Sequence, residues 1–168
     1  TDPASIEFLA VVTQTPDYCL PHVGAIVQQE LGLPTSVASF DLGLGCSGYV
    51  YGLSLAKAFM ASEGLSRGIL VTAEAYSRLL DPGDRATSPL FGDGASATLL
   101  STNPRYLIGK GTFGTNGAQH EALIARGTGT KPGVREALFM DGRAIFSFMM
   151  SEVPKDVAAC LERNNLQL

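Results

Sequence analysis

The stretch FDLGLGCSGYVYGL, from Phe40 to Leu53, places a glycine-rich turn between an apolar run and a helical pattern. The run at residues 37–42 predicts a strand. A helix is predicted from about Ser47 to Ser62, with Gly64 placed to end it. Cys46 therefore stands where a strand ends and a helix begins. A turn at such a junction can cradle a pyrophosphate group or present a nucleophile.

The pyrophosphate interpretation rests on Gly43, Gly45 and Gly48, which match the G-x-G-x-x-G pattern of dinucleotide-binding folds. That pattern also needs an acidic residue about 20 residues further on, at the end of the next strand. Glu74 is the nearest candidate, and it lies later than the pattern requires. The glycine pattern alone is a weak signal in a glycine-rich chain, and it gives Cys46 no role.

The nucleophile interpretation gives Cys46 a role. A thiol at a helix N-terminus lies at the positive end of the helix dipole, beside unpaired N–H groups, and both favour the thiolate. The same N–H groups can stabilise an oxyanion on a thioester carbonyl. The alternative is a buried, inert cysteine, which is a common fate of a free cysteine. Position alone leaves these two interpretations open.

The segments around this turn predict an α/β fold. Ile6–Thr13 and Arg67–Ala75 are apolar runs that predict buried strands, and Pro21–Gly32 predicts a helix between them. The order β-α-β-α-β implies a parallel sheet with right-handed crossovers. A further strand is predicted over residues 95–101, after a polar loop.

The rest of the chain predicts fewer regular elements. A strand is expected near Tyr106–Thr112, followed by a glycine-rich loop from Gly114 to Gly133 with a short strand at Ala122–Ala125. A helix is predicted from Gly142 to about Asn164, and Pro154 predicts a break or a junction of two helices within it.

Composition excludes several classes of protein. The chain has 168 residues, of which 45% are hydrophobic and 17% charged, and these fractions favour a well-buried domain over disorder. A net charge of −4 gives no basic surface for nucleic acid, and no apolar run has the length of a membrane span. The three cysteines lack metal-ligand spacing. We therefore expect a reduced, cytoplasmic setting and no metal.

Four segments in order resemble one family. FDLGLGCSGYVYGL resembles the active-site segment of the β-ketoacyl-acyl-carrier-protein synthase III family, which has the thiolase fold. DPGDR (Asp81–Arg85) followed by FGDGA (Phe91–Ala95) is similar to that family's D-P-x-D-R and F-G-D-G-A motifs. MDGRAIFSF (Met140–Phe148) resembles its M-x-G-x-x-V-F-x-F helix start, and VVTQTPDYCLP fits the loop before its second helix. The resemblance covers essentially the whole chain.

The resemblance implies a fold of two similar halves, each a five-stranded mixed sheet with helices, in α-β-α-β-α layers. Residues 1–101 would be most of the N-terminal half without its first strand and helices, and residues 102–168 the end of that half and the start of the second. We therefore expect the chain to be a truncated piece of a longer protein, with unpaired sheet edges. The family's catalytic His and Asn would lie beyond Leu168.

Five residues receive roles from the resemblance. Cys46 would carry the acyl group as a thioester, and Arg85 would lie at the coenzyme A entrance. Phe91 would lie close to the thiol, and Met140 would line the site. Leu20 stands where many members have phenylalanine, at a position that crosses the dimer interface and closes the partner's acyl pocket.

Each of these residues also has a simpler interpretation. Phe91, Leu20 and Met140 could be core residues, and Arg85 could be a loop arginine in an ion pair with an aspartate of DPGDR. His22, at a predicted helix start, and His120, in the glycine-rich loop, are weak candidates for a catalytic base, because no motif supports either.

The implied activity is that of a condensing acyltransferase. Cys46 would take an acyl group from acyl-CoA, and a decarboxylative Claisen condensation with malonyl-acyl carrier protein would give a 3-oxoacyl product. Acyl-CoA would be a substrate, no cofactor is expected, and a homodimer is implied. Two alternatives stay open: acyl transfer to an amine or alcohol of a secondary metabolite, and a non-catalytic thiolase-fold partner subunit. A nucleotide-binding oxidoreductase is a third, resting on the glycine pattern.

Overall fold

The computed structural model describes residues 2–130, 133–134 and 136–167, which cluster into two compact units. The first unit comprises Thr1–Glu74 and Asp93–Ile108, and the second comprises Ala75–Gly92 and Gly109–Leu168. These are compact pieces of this chain. The predicted boundary at residue 101 divides a longer fold into halves, and it stays a prediction.

The first unit contains a mixed four-stranded sheet, whose strands are β1 (Phe8–Val12), β2 (Ala38–Leu42), β3 (Arg67–Glu74) and β4 (Gly94–Ser101). Across the sheet the strands lie in the order β2-β1-β3-β4. Strand β1 pairs in parallel with both β2 and β3, so that Val12 lies opposite Leu42 and Thr72. Strand β4 runs antiparallel to β3. The predicted α/β class and mixed sheet are confirmed, with four strands rather than five among the described residues.

The centre of this sheet is β1, whose five residues are all buried. Phe8, Ala10 and Val12 pack on one face against helix α2 (Gly48–Glu63), through residues that include Ala56 and Met60. Leu9 and Val11 pack on the other face against helix α1 (Val23–Glu30). Side chains alternate across a strand, so an unbroken apolar run is what a strand covered on both faces requires.

Both helices end as the sequence predicts. Gly64 follows α2 in the left-handed conformation, with φ of 68°, and its N–H donates to the carbonyl of Met60. Gly32, just after α1, also has positive φ, at 61°. A residue without Cβ adopts this conformation at no steric cost, which is why glycine ends helices.

The second unit contains a two-stranded antiparallel ribbon and a long helix. Strand β5 (Leu123–Ile124) pairs with β6 (Phe139–Met140), which confirms the short strand predicted at residues 122–125. Helix α3 (Gly142–Arg163) begins directly after β6, where Asp141 accepts hydrogen bonds from the backbone N–H groups of Arg143 and Ala144. The chain also forms short 3-10 helices at Pro3–Ser5, Tyr76–Arg78, Ser88–Leu90 and Gly117–Ala122. No described helix is long and apolar enough to cross a membrane.

The strand predicted at Tyr106–Thr112 is wrong, since these residues form no strand. Side chains, rather than a neighbouring strand, bond the backbone here. Lys57 Nζ donates to the Ile108 carbonyl at 2.6 Å. The Asn164 amide accepts from Lys110 N–H at 2.8 Å and donates to its carbonyl at 2.8 Å. An apolar run alone cannot reveal such substitute partners.

The break predicted at Pro154 is also wrong, because α3 continues through it. Proline lacks the N–H that would bond to the carbonyl four residues earlier, which belongs to Met150. Both Pro154 and Met150 are exposed, so water can bond that carbonyl. The cost that breaks a buried helix is therefore reduced at this position.

Candidate active site around Cys46

Cys46 lies one residue before Ser47, the N-cap of α2. The turn is closed by a hydrogen bond from Gly48 N–H to the Gly45 carbonyl at 2.8 Å, and Tyr51 N–H donates to the Ser47 carbonyl at 3.1 Å. Cys46 is free and exposed, so the buried, inert alternative does not describe it. An exposed thiol beside the first turn of a helix has access both to a substrate and to N–H groups that stabilise negative charge.

The position of this turn is fixed by close packing at Gly48. A Cβ atom on Gly48 would overlap Val12 Cγ1 and would lie 3.2 Å from the Leu44 Cβ atom. Gly43, by contrast, has open space where a Cβ atom would be. Of these two glycines in the G-x-G-x-x-G pattern, Gly48 is therefore the one that packing requires, as it lets α2 approach β1. This packing serves a nucleophile turn as well as a dinucleotide turn.

Glu74, the acidic residue considered for a dinucleotide, holds a turn instead. One oxygen of its carboxylate accepts from Gln14 N–H at 2.9 Å, and the other accepts from the Thr15 hydroxyl at 2.8 Å. Both oxygens are thus engaged with the turn that follows β1. The structure gives Glu74 a role that the dinucleotide interpretation does not need.

Asp41 is a residue that the sequence analysis missed. It lies on β2, and its carboxylate accepts from the first backbone N–H groups of α1, from Val23 at 2.6 Å and from Gly24 at 2.8 Å. His22 occupies the N-cap position of α1 but makes no side-chain capping bond. The available signal was a carboxylate at a strand end together with a helix start that lacks Ser, Thr, Asp or Asn at the cap.

Leu20 is 86% exposed, so it is not a core residue of the described chain. It lies two residues before the N-cap of α1, near Tyr18, which is 61% exposed. His22 is exposed too. Leu20 and Cys46 belong to the same compact unit.

Arg85 is presented to solvent by two consecutive turns of the DPGDR segment. Asp81 accepts from Gly83 N–H at 2.8 Å, and Asp84 accepts from the N–H groups of Ala86 at 2.8 Å and Thr87 at 3.1 Å. Both carboxylates therefore bind backbone. Among the described residues Arg85 makes no ion pair, so the ion-pair interpretation is wrong, and its exposed guanidinium faces water.

The turn around Asp84 makes a prediction about pH. Hydrogen bonds from the Thr87 side chain and from the Thr87 and Ala86 N–H groups lower the pKa of Asp84. Because the pKa of Asp84 is lower in the folded protein than in the unfolded chain, the ionised carboxylate stabilises the fold. This stabilisation is fully present above the ordinary aspartate pKa of about 4, and it is lost as the pH falls through the pKa of the folded protein. We expect NMR titration of the Asp84 carboxyl to give a midpoint below that of a free aspartate. In Thr87→Val, which removes the first of these bonds, the midpoint should rise.

Phe91 and Met140 lie in the second unit with Arg85. Phe91 is half-buried and stacks on Tyr76, with ring centroids 5.3 Å apart and planes 9° apart. Met140 is half-buried on β6, opposite Leu123. Neither residue is fully buried. These contacts do not test their predicted roles at the site, which stay predictions.

The remaining candidates contribute no further chemistry that the structure shows. His120 is exposed, and its Nδ1 lies 3.2 Å from the Gly117 carbonyl oxygen within its own loop. In the described part of the chain, no three His, Cys, Asp or Glu side chains cluster as they would around a metal ion. Cys46 is thus the residue whose position indicates chemistry.

Comparison with known sequences shows one family. Residues 40–117 match the sequence model described as 3-oxoacyl-[acyl-carrier-protein (ACP)] synthase III. The chain is 37% identical over 172 residues to a β-ketoacyl-[acyl-carrier-protein] synthase III of Lactococcus lactis subsp. cremoris (strain MG1363), covering 98% of this chain and 53% of the relative. A synthase III of Streptococcus equi subsp. zooepidemicus (strain MGCS10565) is 34% identical, with 98% and 52% covered. The chain spans about half the length of the curated relatives it matches.

Comparison with solved structures gives the same result. A crystal structure of a 3-oxoacyl-(acyl-carrier-protein) synthase III matches with a TM-score of 0.92 and 34% identity, over 99% of this chain and 55% of that one. A 3-oxoacyl-(acyl-carrier protein) synthase from Burkholderia xenovorans LB400 matches with a TM-score of 0.85 and 35% identity, over 98% of this chain and 50% of that one. The fold class predicted from the resemblance is therefore confirmed.

Proposed function

This chain belongs to the β-ketoacyl-acyl-carrier-protein synthase III family and has its thiolase-like fold, and from that premise we propose that it forms part of a condensing acyltransferase with Cys46 as nucleophile. The observation that carries the proposal is the free, exposed thiol of Cys46 immediately before the N-cap of α2. Of the three free cysteines, Cys46 is the one that directly precedes a helix N-cap within a family motif.

The first step is transfer of an acyl group to the protein. The Cys46 thiolate attacks the carbonyl carbon of acyl-CoA, and the coenzyme A thiolate leaves, so one thioester is exchanged for another. Negative charge develops on the carbonyl oxygen in the transition state. Cys46 directly precedes the N-cap of α2, and the N–H groups of the first turn of that helix can stabilise such a charge.

The second step consumes the acyl-Cys46 thioester. A malonyl group carried by acyl carrier protein loses CO₂, and the resulting carbanion attacks the acyl carbonyl carbon. The Cys46 thiolate leaves, and the 3-oxoacyl product remains on the carrier protein. The resemblance assigns assistance in this step to a His and an Asn that it places outside these 168 residues.

The proposal is tested by intact mass spectrometry of the full-length protein before and after incubation with a panel of acyl-CoAs. We expect a mass increase equal to the acyl group, mapped by peptide analysis to Cys46, with release of free coenzyme A. Addition of malonyl-acyl carrier protein should then discharge the adduct with release of CO₂. A full-length protein that forms no adduct with any primer would contradict the proposal.

The same experiment separates the alternative acceptors. An adduct that malonyl-acyl carrier protein leaves intact, but that an amine or alcohol discharges, would indicate transfer to a small-molecule acceptor. A full-length protein without loading activity would instead fit a non-catalytic partner subunit. Tight binding of NAD would indicate a dinucleotide-binding function. The hydrogen bonds of Glu74 to the turn after β1 do not favour that function, because they occupy both oxygens of the carboxylate.

We propose that Arg85 binds the phosphates or adenine of coenzyme A, and its free, exposed guanidinium supports this role. Arg85→Ala should raise the KM for acyl-CoA about fivefold, equivalent to ~1 kcal/mol for an exposed charge pair. The kcat should change little, because a contact remote from the reacting carbon binds ground state and transition state alike. The effect should shrink at high salt.

Arg105→Ala is the matched control, because Arg105 is also an exposed arginine and lies against the Tyr106 ring. It removes the same charge from the chain, so it should leave the KM for acyl-CoA unchanged. An equal rise in KM for both variants would show a general charge effect, and an unchanged KM for Arg85→Ala would return Arg85 to an ordinary surface loop.

Leu20, Phe91 and Met140 complete the proposed substrate-binding set. The exposure of Leu20 supports its proposed place at a homodimer interface, where a second copy would cover it. Leucine in place of phenylalanine would alter the length or shape of the acyl pocket. Acyl-CoA as a substrate, the absence of a cofactor and a cytoplasmic location belong to the same proposal.

A further inference from the structure

The first turn of α1 packs closely against the end of β2. The carboxylate of Asp41 accepts from both Val23 N–H and Gly24 N–H. A Cβ atom on Gly24 would overlap Ser39 Oγ and would lie 3.1 Å from Asp41 Oδ1. Gly24 is buried, and so is the Ser39 hydroxyl oxygen. The absence of a side chain at Gly24 thus lets the first turn of α1 reach the Asp41 carboxylate.

This contact lies between the two parts of the first unit that the proposed function uses. The Leu20 segment (residues 18–22) leads directly into α1, and the Cys46 elbow (residues 43–47) leads directly out of β2. Leu42, next to Asp41, is held by Thr13 N–H, which donates to its carbonyl at 3.0 Å. The end of β2 is therefore a fixed base for the elbow.

Within the described part of the chain, the Leu20 segment has no comparable hydrogen-bonded anchor of its own. Tyr18, Cys19, Leu20, Pro21 and His22 are all exposed. His22 at the N-cap contributes no side-chain capping bond, so the bonds to Asp41 replace the local cap that a helix start normally has. One carboxylate thereby connects the segment that carries Leu20 to the strand that carries the elbow.

We infer that Asp41 is a positioning residue, which fixes the start of α1 and with it Leu20, and so contributes to the choice of acyl chain in the pocket that Leu20 closes across the proposed dimer interface. The inference rests on the proposed function, because it takes Cys46 as the acyl carrier and Leu20 as part of an acyl pocket. Asp41 touches no substrate in this scheme. It acts through the two backbone N–H groups at the start of α1.

Asp41→Asn tests the inference with a nearly isosteric change. The amide NH₂ group cannot accept a hydrogen bond, so one of the two N–H groups of α1 meets a donor instead of an acceptor. The start of α1, and Leu20 with it, should shift. We expect the ratio of kcat/KM for acetyl-CoA to kcat/KM for octanoyl-CoA to change by about three- to tenfold. For comparison, one methylene group in an apolar pocket changes kcat/KM by about tenfold or more.

Glu7→Gln is the matched control. Glu7 is also a carboxylate that accepts from two backbone N–H groups, those of Ser66 and Arg67, at the opposite end of the sheet. Both bonds go to one oxygen, Oε2, so the carbonyl oxygen of glutamine can keep them. This variant therefore removes a carboxylate charge at a comparable place without opposing two donors, and it should leave the ratio between the two primers unchanged. A role of Asp41 in stability alone would reduce kcat/KM for both primers equally and would leave their ratio unchanged.

The outcomes are distinct. A changed ratio in Asp41→Asn but not in Glu7→Gln supports the inference, and an unchanged ratio, or an equal change in both variants, overturns it. If Asp41→Asn does not fold, Asp41→Glu provides the same comparison, because it keeps the carboxylate but displaces α1 by one methylene group. Failure of the unaltered full-length protein to load either acyl group on Cys46 would overturn the proposed function instead.

Discussion

Cys46→Ala should abolish acyl loading of the full-length protein by every acyl-CoA in the panel. The variant retains the turn, since the bond from Gly48 N–H to the Gly45 carbonyl does not involve the side chain. It removes the sulfur on which the thioester forms. Loss of a catalytic nucleophile typically lowers kcat by about 10⁴- to 10⁶-fold. Intact mass spectrometry should therefore detect no adduct after times that load the unaltered protein completely.

Cys19→Ala is the matched control for this variant. Cys19 is likewise free and exposed in the first unit, but it lies in the Leu20 segment and not at a helix N-terminus. We expect its loading to equal that of the unaltered protein. An adduct that persists in Cys46→Ala and disappears in Cys19→Ala would move the nucleophile to Cys19. An adduct that persists in both variants would exclude both Cys46 and Cys19 as the sole nucleophile.

The sheet of the first unit could be predicted because its signals are local. The strand β1 is an unbroken apolar run, and it is covered by helices on both faces. Gly64 ends α2 by a conformation that glycine favours, and that signal is contained in a single residue. Elements whose cause lies within a few residues are therefore the ones that the sequence predicts well.

The errors arose where distant side chains act on the backbone. Residues 106–112 are apolar enough for a strand, but Lys57 and Asn164 bond parts of their backbone. At Pro154 the error had a different source, since exposure of the helix allows water to take the place of a lost bond. Neither solvent exposure nor a partner some fifty residues away can be inferred from a local pattern.

The candidate site was predicted in part for the same reason. The position of Cys46 between β2 and α2 follows from the local pattern, and the structure shows in addition that the thiol is exposed. Asp41 was missed because its partners, Val23 and Gly24, belong to a helix that lies 17 to 18 residues earlier in the sequence. The motif DPGDR could be recognised from the sequence, and the structure adds the role of its two aspartates. Both accept hydrogen bonds from backbone N–H groups and leave Arg85 without an ion pair among the described residues.

Gly48→Ala should be strongly destabilising although it replaces a helical glycine with a good helix former. The new methyl group would overlap Val12 Cγ1, and Val12 is a β-branched residue only 3% exposed at the centre of the sheet. Overpacking of this kind costs about 1–3 kcal/mol. Helix propensity returns at most ~1 kcal/mol, so the overlap dominates. Urea denaturation of the full-length protein should show a lower midpoint with an unchanged slope.

Gly43→Ala separates this packing effect from a general need for glycine in the elbow. Gly43 lies in the same turn, with open space around a Cβ atom and no left-handed backbone angle. Its replacement should change stability by less than about 1 kcal/mol, and it can stabilise by restricting the unfolded chain. Equal losses in the two variants would show that the elbow needs glycine for backbone conformation. A loss confined to Gly48→Ala would show that the close approach of α2 to β1 requires glycine at the start of this helix.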